Sequence, residues 1–458
     1  MNTFSRETYV ARRNALKKKL GKGRVLLLGN DESSMNYKDN WYHFRQDSTF
    51  LYYFGLDQPG LAAIIDIDSD EEIIFGDELT IEDIIWTGRL PKLSDLAESV
   101  GVSKTVPSSK LIKYSSGDLL YLPPYRAEHS VKIGAMLGMK PRKVDKRYSN
   151  KLIRAITQQR LYKSEEEVDQ MNQAVIISNR MHLEVMKHTR PGLKEHELVA
   201  VAAKVAYDHN VHFAYPPILT KHGEVLHNHY HGNTLEFGDL VLFDGGTEST
   251  MRYAGDITRT FPVNGKFDSR QRALYDIVYK SFKEAVDALK PGIRFLDIHL
   301  LAAKEIVDGL KEMGIMKGNS DDAVHTGAHT MFFQCGLGHL IGLDVHDMEN
   351  FGEENIGYTN ELKKSTKFGL KSLRLGRELE KGFAVTVEPG IYIVPELIDL
   401  RRSQNKYKDF INYDELEKYR DFGGIRLEDN FVITHSGSKL LGIEMPQTAE
   451  EIEAAVGQ

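Results

Sequence analysis

Acidic residues stand where acids are costly in this chain. Residues 242–261, LFDGGTESTMRYAGDITRTF, read as two strands joined by a turn, with Asp244 in the first and Asp256 in the second. Strands disfavour Asp, and a carboxylate among apolar side chains is expensive unless it is paired. Facing each other, the two acids repel, so either both point to solvent or they share a cation. Two later stretches repeat the pattern: residues 383–393, FAVTVEPGIYI, hold Glu388, and residues 424–434, GIRLEDNFVIT, hold Glu428. Four negative charges cannot share a low-dielectric site uncompensated. A pair of metal ions, roughly 3.5–4 Å apart and bridged by carboxylates and a water, is the natural solution. Hard oxygens with one imidazole suit Mn²⁺, with Zn²⁺, Co²⁺ or Fe²⁺ as competitors. The imidazole is offered by residues 335–347, CGLGHLIGLDVHD, where His339 sits among small residues and His346 follows.

The elements that must position these acids come in two copies. TRPGLKEHELVAVAAKVA, from Thr189, and LKPGIRFLDIHLLAAKEI, from Leu289, align without a gap at an offset of 100 residues. Pro191 matches Pro291, Gly192 matches Gly292, Glu197 matches Asp297, Ala203 matches Ala303 and Lys204 matches Lys304. Both copies read as helix, Pro-Gly turn, helix, then strands, so an internal duplication is expected, with Glu388 and Glu428 as counterparts of the first two acids. Upstream, Ser164 and Glu167 form a capping box. The helix it opens carries Val168, Met171, Val175 and Ile176 and stops at Arg190-Pro191-Gly192.

The first 160 residues alternate helical patterns (6–20, 150–157) with short apolar strands (25–28, 61–65, 73–75), as an α/β domain does. Residues 44–56, FRQDSTFLYYFGL, are expected to be a strand or a pocket edge, their aromatic side chains packed in the core. A break near 160–163 divides the chain into domains 1–160 and 161–458, in keeping with a length of 458 residues, too long for one core.

A hydrophobic content of 41% and a charged content of 27% are those of a globular protein, and a net charge of −7 gives no case for nucleic acid or an anionic membrane. Cys335 is the single cysteine, so no intrachain disulfide forms and a reducing compartment fits. The N-terminal residues have no apolar core of a secretory signal, and no run approaches a membrane span, so the expectation is a soluble cytoplasmic protein.

Four motifs, in order, carry a resemblance: YAGDITRTFPVNGKF from Tyr253, GLGHLIGLDVHD from Gly336, VEPGIYI from Val387 and GIRLEDNFVIT from Gly424. From residue 160 to 434 the chain resembles the pita-bread metallopeptidases, and within them the aminopeptidase P and prolidase branch. FRQDSTFLYYFGL is similar to the creatinase-like N-terminal domain of that branch. The resemblance implies a creatinase-like α/β domain with a mixed sheet, followed by an α+β pita-bread domain with an internal pseudo-twofold duplication. It implies five metal ligands. Asp256 and Glu428 would bridge two divalent ions, Asp244 would complete one, and His339 with Glu388 the other. Glu388 would also carry a proton to the leaving nitrogen. His346 and His227 would hold the scissile carbonyl or the tetrahedral intermediate. His227 is preferred to His229 and His231 because its distance to Asp244 matches the family without a gap. Arg426, two residues before Glu428 and on the same face of an extended strand, would orient that carboxylate.

The function so implied is removal of the N-terminal residue from peptides with proline second, by an Xaa-Pro aminopeptidase; the rival is a prolidase restricted to Xaa-Pro dipeptides, and a non-catalytic binding role is a third reading. A peptide substrate, no nucleic acid, no membrane and a homo-oligomer, dimer or tetramer, go with it. Three departures stand out. The Asp244–Asp256 connection is one residue longer than usual. Cys335 stands where the branch commonly has a His lining the proline pocket. Residues 349–381 and 394–422 are long and are expected to be loops around the cleft.

Overall fold

The computed structural model describes residues 3–114 and 119–457. The chain forms two compact units: one runs to Arg160 and takes in Met348–Asn355, and the other comprises Leu161–Asp347 and the residues from Ile356 on.

The first unit is built on a five-stranded mixed sheet of β1 (Arg24–Leu28), β2 (Ala62–Asp66), β3 (Glu71–Phe75), β4 (Lys104–Val106) and β5 (Leu119–Leu120), in the order β4-β3-β2-β1-β5. The three central strands pair antiparallel, and β4 and β5 join them in parallel. Leu26, Ile64, Ile73, Phe75 and Tyr121 form the core on one face. The helix Arg6–Leu20 falls where the periodicity predicts it. The aromatic run does not form a strand. Ser48–Phe54 is a helix, with Asp47 Oδ1 accepting from Phe50 N at 2.8 Å and Gly55 ending it in the left-handed region at φ 65°. All seven of its residues are buried, so the expected core packing holds while the expected strand does not. An apolar run of this length has no period that separates a buried strand from a buried helix, and here the Asp cap decides.

In the second unit the duplication is visible in three dimensions. Glu165–His188, a Pro-Gly turn and Glu195–Asp208 precede an antiparallel sheet of β6 (Ile218–Thr220), β7 (Leu240–Asp244) and β8 (Thr258–Pro262). Ser269–Asp287, a second Pro-Gly turn and Phe295–Glu312 precede the strands of the second half: β9 (Ala384–Val387), β10 (Gly390–Tyr392), β11 (Gly424–Arg426), β12 (Asp429–Ile433) and β13 (Ser438–Leu440). Of these, β13-β12-β9 form one sheet and β10-β11 a two-stranded ribbon. The capping box stands as read: Ser164 Oγ accepts from Glu167 N at 3.3 Å, and Ser164 N donates to Glu167 Oε2 at 3.1 Å. Among the described residues no helix is long and apolar enough to cross a membrane.

Residues 349–381 and 394–422 are not bare loops. The first holds short turns of helix at Glu349–Phe351, Glu353–Ile356 and Leu370–Ser372, and the second holds the helix Pro395–Ser403.

Candidate metal centre

Each half of the second unit delivers two acids from the ends of its strands. Asp244 is the last residue of β7, and Asp256 lies two residues before β8 rather than inside it. Glu388 follows β9 directly, and Glu428 precedes β12 directly. This symmetry is the chemical content of the duplication. A carboxylate in mid-strand would displace a packed apolar side chain, whereas at a strand end it projects beyond the sheet. The halves meet at these ends, where Glu428 N donates to Thr258 O at 3.1 Å. The longer Asp244–Asp256 connection is a laddered hairpin extension: Gly245 N donates to Ile257 O (3.0 Å), Gly255 N to Thr247 O (2.9 Å) and Ser249 N to Tyr253 O (2.7 Å). Its tip turns with Arg252 at φ 68°, a left-handed residue of the kind that closes longer hairpin loops.

The imidazole joins them. One ligand atom each from Asp256, His339 and Glu428 lie within 4.8 Å of one another. His339 Nε2 is 3.3 Å from Asp256 Oδ2 and 3.6 Å from Glu388 Oε1. The ring's other nitrogen, Nδ1, is 3.0 Å from Leu340 O; a carbonyl can only accept, so Nδ1 carries the proton and Nε2 presents its lone pair to the acids. His339 reaches this place because Gly338 runs against the next strand: a Cβ there would lie 2.1 Å from Thr386 O.

Arg426 departs from its expected role. Its guanidinium donates to Asp244 Oδ2 at 2.5 Å, to Tyr392 OH at 2.9 Å and, through Nε, to Thr258 Oγ1 at 3.2 Å. It does not hold Glu428 directly; Thr258 Oγ1 does, donating to Glu428 Oε2 at 2.7 Å. The two-residue periodicity fails because β11 ends at Arg426 and the chain leaves that ladder before Glu428. Two further residues escaped the sequence. Tyr215 OH is 2.7 Å from Asp244 Oδ1 and also within hydrogen-bond distance of Asp256 Oδ1; with one proton to give, it serves one of them at a time. Asn430, wholly buried in β12, bonds the backbone of Asp256 on both sides.

A cavity of about 240 Å³ opens onto these groups. Asp244, Asp256, His339, Glu388, Glu428 and Arg426 line it, and so do His227, His229, His346 and Arg374. His346 meets His339 edge to face, ring centroids 4.3 Å apart. His227 is held below the usual imidazole range by burial and by the Arg426 charge. His231 turns away, its Nδ1 on Leu219 O at 3.1 Å. The apolar part of the wall includes Ile218, Leu226 and Cys335, and Cys335, like Val394, packs against the buried cluster of Ile218, Leu242 and Tyr392. Burial pushes the Cys335 thiol up to about 12, so it stays protonated.

The charge balance of this wall calls for cations. Burial, then the Asp244 charge, raises Asp256 to about 7; burial, with Asp256 and Asp244 adding to it, raises Glu388 to about 7. Glu428 is pushed far above the carboxylate range by burial and by the other three acids. Its Oε1 is buried with no hydrogen-bond partner among the described residues. An orphaned buried carboxylate oxygen, three neighbouring carboxylates and an imidazole lone pair are a donor set that fits divalent metal ions.

Comparison with known proteins agrees with this reading. The family model described as metallopeptidase family M24 matches residues 169–435, and that of the aminopeptidase P N-terminal domain matches residues 9–119. An Xaa-Pro dipeptidase of Homo sapiens is 32% identical over 446 residues, covering 94% of this chain and 88% of that protein. An Xaa-Pro aminopeptidase of Escherichia coli strain K12 is 31% identical over 488 residues, covering 99% and 98%. The solved structure of zinc-substituted E. coli aminopeptidase P in complex with product superposes with a TM-score of 0.82 at 30% identity, covering 99% of this chain and 98% of that one. The aminopeptidase PepP of Pseudomonas aeruginosa superposes with the same TM-score of 0.82 at 28% identity, over 99% and 98%. The chain belongs to metallopeptidase family M24 and carries the N-terminal domain of its aminopeptidase P branch.

Proposed function

We propose that the protein removes the N-terminal residue from peptides with proline in the second position. The observation that carries this reading is the wall of four carboxylates and one imidazole at the foot of a cavity of about 240 Å³, in which Asp256, His339 and Glu428 are buried, Asp244 and Glu388 are partly exposed, and Glu428 Oε1 has no hydrogen-bond partner among the described residues. Asp244, Asp256, His339, Glu388 and Glu428 would hold two divalent ions, Mn²⁺ in preference to Zn²⁺, Co²⁺ or Fe²⁺, since four of these five side chains are hard carboxylates. Such ions, when bound, supply hydroxide at neutral pH by lowering the pKa of a water and polarise the scissile carbonyl.

The chain's own groups do the rest. Glu388 takes a proton from the attacking water at one carboxylate oxygen and delivers it to the leaving proline nitrogen as the C–N bond breaks. His346 and His227, both on the cavity wall, donate hydrogen bonds to the substrate oxygens as negative charge develops on them. Arg426 and Tyr215 are positioning residues: Arg426 fixes the Asp244 carboxylate, and Tyr215 sits between Asp244 and Asp256 Oδ1, with Asp256 Oδ2 turned to His339. The proline nitrogen carries no hydrogen in the peptide and its ring locks φ, so its seat must be a shaped apolar surface. Ile218, Leu226 and Cys335 offer one.

A second reading, hydrolysis of Xaa-Pro dipeptides alone, is favoured by Arg374. This guanidinium borders the same cavity and acts electrostatically on His227, a suitable neighbour for the free carboxylate of a dipeptide. The human relative carries the name Xaa-Pro dipeptidase. Metal-loaded protein incubated with Xaa-Pro-Yaa tripeptides and Xaa-Pro dipeptides separates the two. Release of the first residue from tripeptides is expected, and turnover of dipeptides alone would sink the first reading. A homo-oligomer, dimer or tetramer, belongs to the same proposal on the family resemblance alone, and a cytoplasmic location is supported by the lone cysteine. Light scattering that returns a monomer mass would remove the oligomer from it.

A further inference from the structure

Beneath the loop that carries His346 lies an ion pair shut off from water. Lys163 Nζ is 2.9 Å from Asp347 Oδ2, and both side chains are 1% exposed. Asp347 follows His346 directly and closes the loop on itself, its N–H donating to Leu340 O at 2.9 Å. Its other carboxylate oxygen, Oδ1, accepts from Asp344 N at 3.4 Å. The loop is tied outward too: Gly342 O accepts from Ala254 N at 2.8 Å, two residues before Asp256. Lys163 is itself anchored, because its N–H donates to Gly382 O at 2.8 Å and Ser164, next in sequence, caps the long helix Glu165–His188. The loop has made room for the pair. A Cβ on Gly342 would stand 2.6 Å from Asp347 Oδ2 and 2.9 Å from Lys163 Cε.

A buried ion pair is not a general route to stability. Apolar side chains of similar volume hold a fold as well or better, because each charge must be stripped of water. What a buried pair does supply is a fixed geometry, and this one fixes the residue adjoining His346. The loop from Leu340 to Asp347 has His339 just before its start and His346 just before its end, and the two rings meet at 4.3 Å. Rotating the Asp347 carboxylate off Lys163 would therefore shift the backbone that aims the His346 ring.

We propose that Lys163 is a positioning residue for the peptidase reaction, acting through Asp347 to hold His346 over the cavity. This rests on the reading of His346 as a group that hydrogen-bonds the substrate oxygen. The ammonium touches no substrate; its work is done when the chain folds.

The test is a double-mutant cycle. Lys163→Met with Asp347→Leu replaces the pair by apolar side chains, and Gly342→Ala presses on the pair without removing a charge. Each is made in the natural chain and in the His346→Ala background, and kcat, KM, metal content and Tm are measured with an Xaa-Pro-Yaa tripeptide. In the natural background both changes are expected to lower kcat, by up to ~10²-fold, the scale of a misplacement of about 1 Å. KM and metal content stay near those of the natural protein. In the His346→Ala background the same changes lower kcat no further, because the group they aim is gone. A purely structural role predicts equal losses in both backgrounds, and that result, or undiminished kcat in the natural background, would overturn the proposal. If the paired replacement fails to fold, Gly342→Ala carries the same test alone. Full activity in His346→Ala itself would remove the reading of His346, an outcome distinct from failure of the Lys163 role.

Discussion

Asn430 grips the main chain of Asp256 from both sides: Asp256 N donates to Asn430 Oδ1 at 2.9 Å, and Asn430 Nδ2 donates to Asp256 O at 2.5 Å. A side chain from one half of the duplication thus does for an acid of the other half what a neighbouring strand would do. Asn430→Ala leaves both backbone groups buried and unpaired, so Asp256 should lose its fixed position. Metal affinity is expected to fall by about 10–100-fold, the usual effect of removing a partner behind a ligand. Titration of the metal-free protein with Mn²⁺ measures it, and an unchanged affinity would mean that Asp256 is held by other contacts.

Glu388→Ala is expected to lower kcat by at least ~10²-fold, the low end for loss of a general acid–base. Steady-state turnover of an Xaa-Pro-Yaa tripeptide at saturating metal is the measurement. Near-normal turnover would strip Glu388 of its proton-carrying role.

Cys335 lies on the apolar wall and stays protonated, so its contribution is shape. Cys335→Ala removes roughly a methylene's worth of contact, about 0.8 kcal/mol, which is an increase of roughly 4-fold in KM for an Xaa-Pro substrate. The value of kcat should be unaffected. A collapse of kcat with KM unaltered would give the thiol a part in the chemistry.

His299 and His329 are buried in the second unit and are held neutral by burial, at about 3 and about 4 against an ordinary 6.5. Their folded values lie below the unfolded one, so the unfolded chain binds more protons as pH falls. The stability they allow is intact above about pH 6.5 and declines from there towards pH 4 and 3. Each costs about 1.4 kcal/mol per pH unit within that window. His299 has no hydrogen-bond partner on either ring nitrogen among the described residues, so His299→Leu should be tolerated at pH 7. Its Tm should fall less steeply than the natural protein's between pH 6.5 and 5; parallel curves would refute the assignment.

The acids were legible in the sequence because Asp and Glu are conspicuous among strand-forming residues, and their pairing was legible because the Pro-Gly and helix segments that precede each pair align without a gap. Their setting was less so. Asp256 lies before its strand, since apolar periodicity marks where a strand is but not where it ends. Arg426 points to Asp244 because β11 stops there, and a period of two residues predicts nothing past a strand end. Tyr215 and Asn430 carried no signal at all: one is a tyrosine 29 and 41 residues from the acids it touches, the other an amide inside a buried strand. The helix Ser48–Phe54 has no periodic signature in the sequence, because seven buried residues have no solvent face to set a period.

Metal content tests the central claim most directly. Protein stripped with a chelator, reloaded with excess Mn²⁺ and freed of unbound ion should hold two ions per chain, falling in Asp244→Ala. Fewer than one ion per chain after full loading would contradict the account, because the buried acids around Glu428 would then need another explanation.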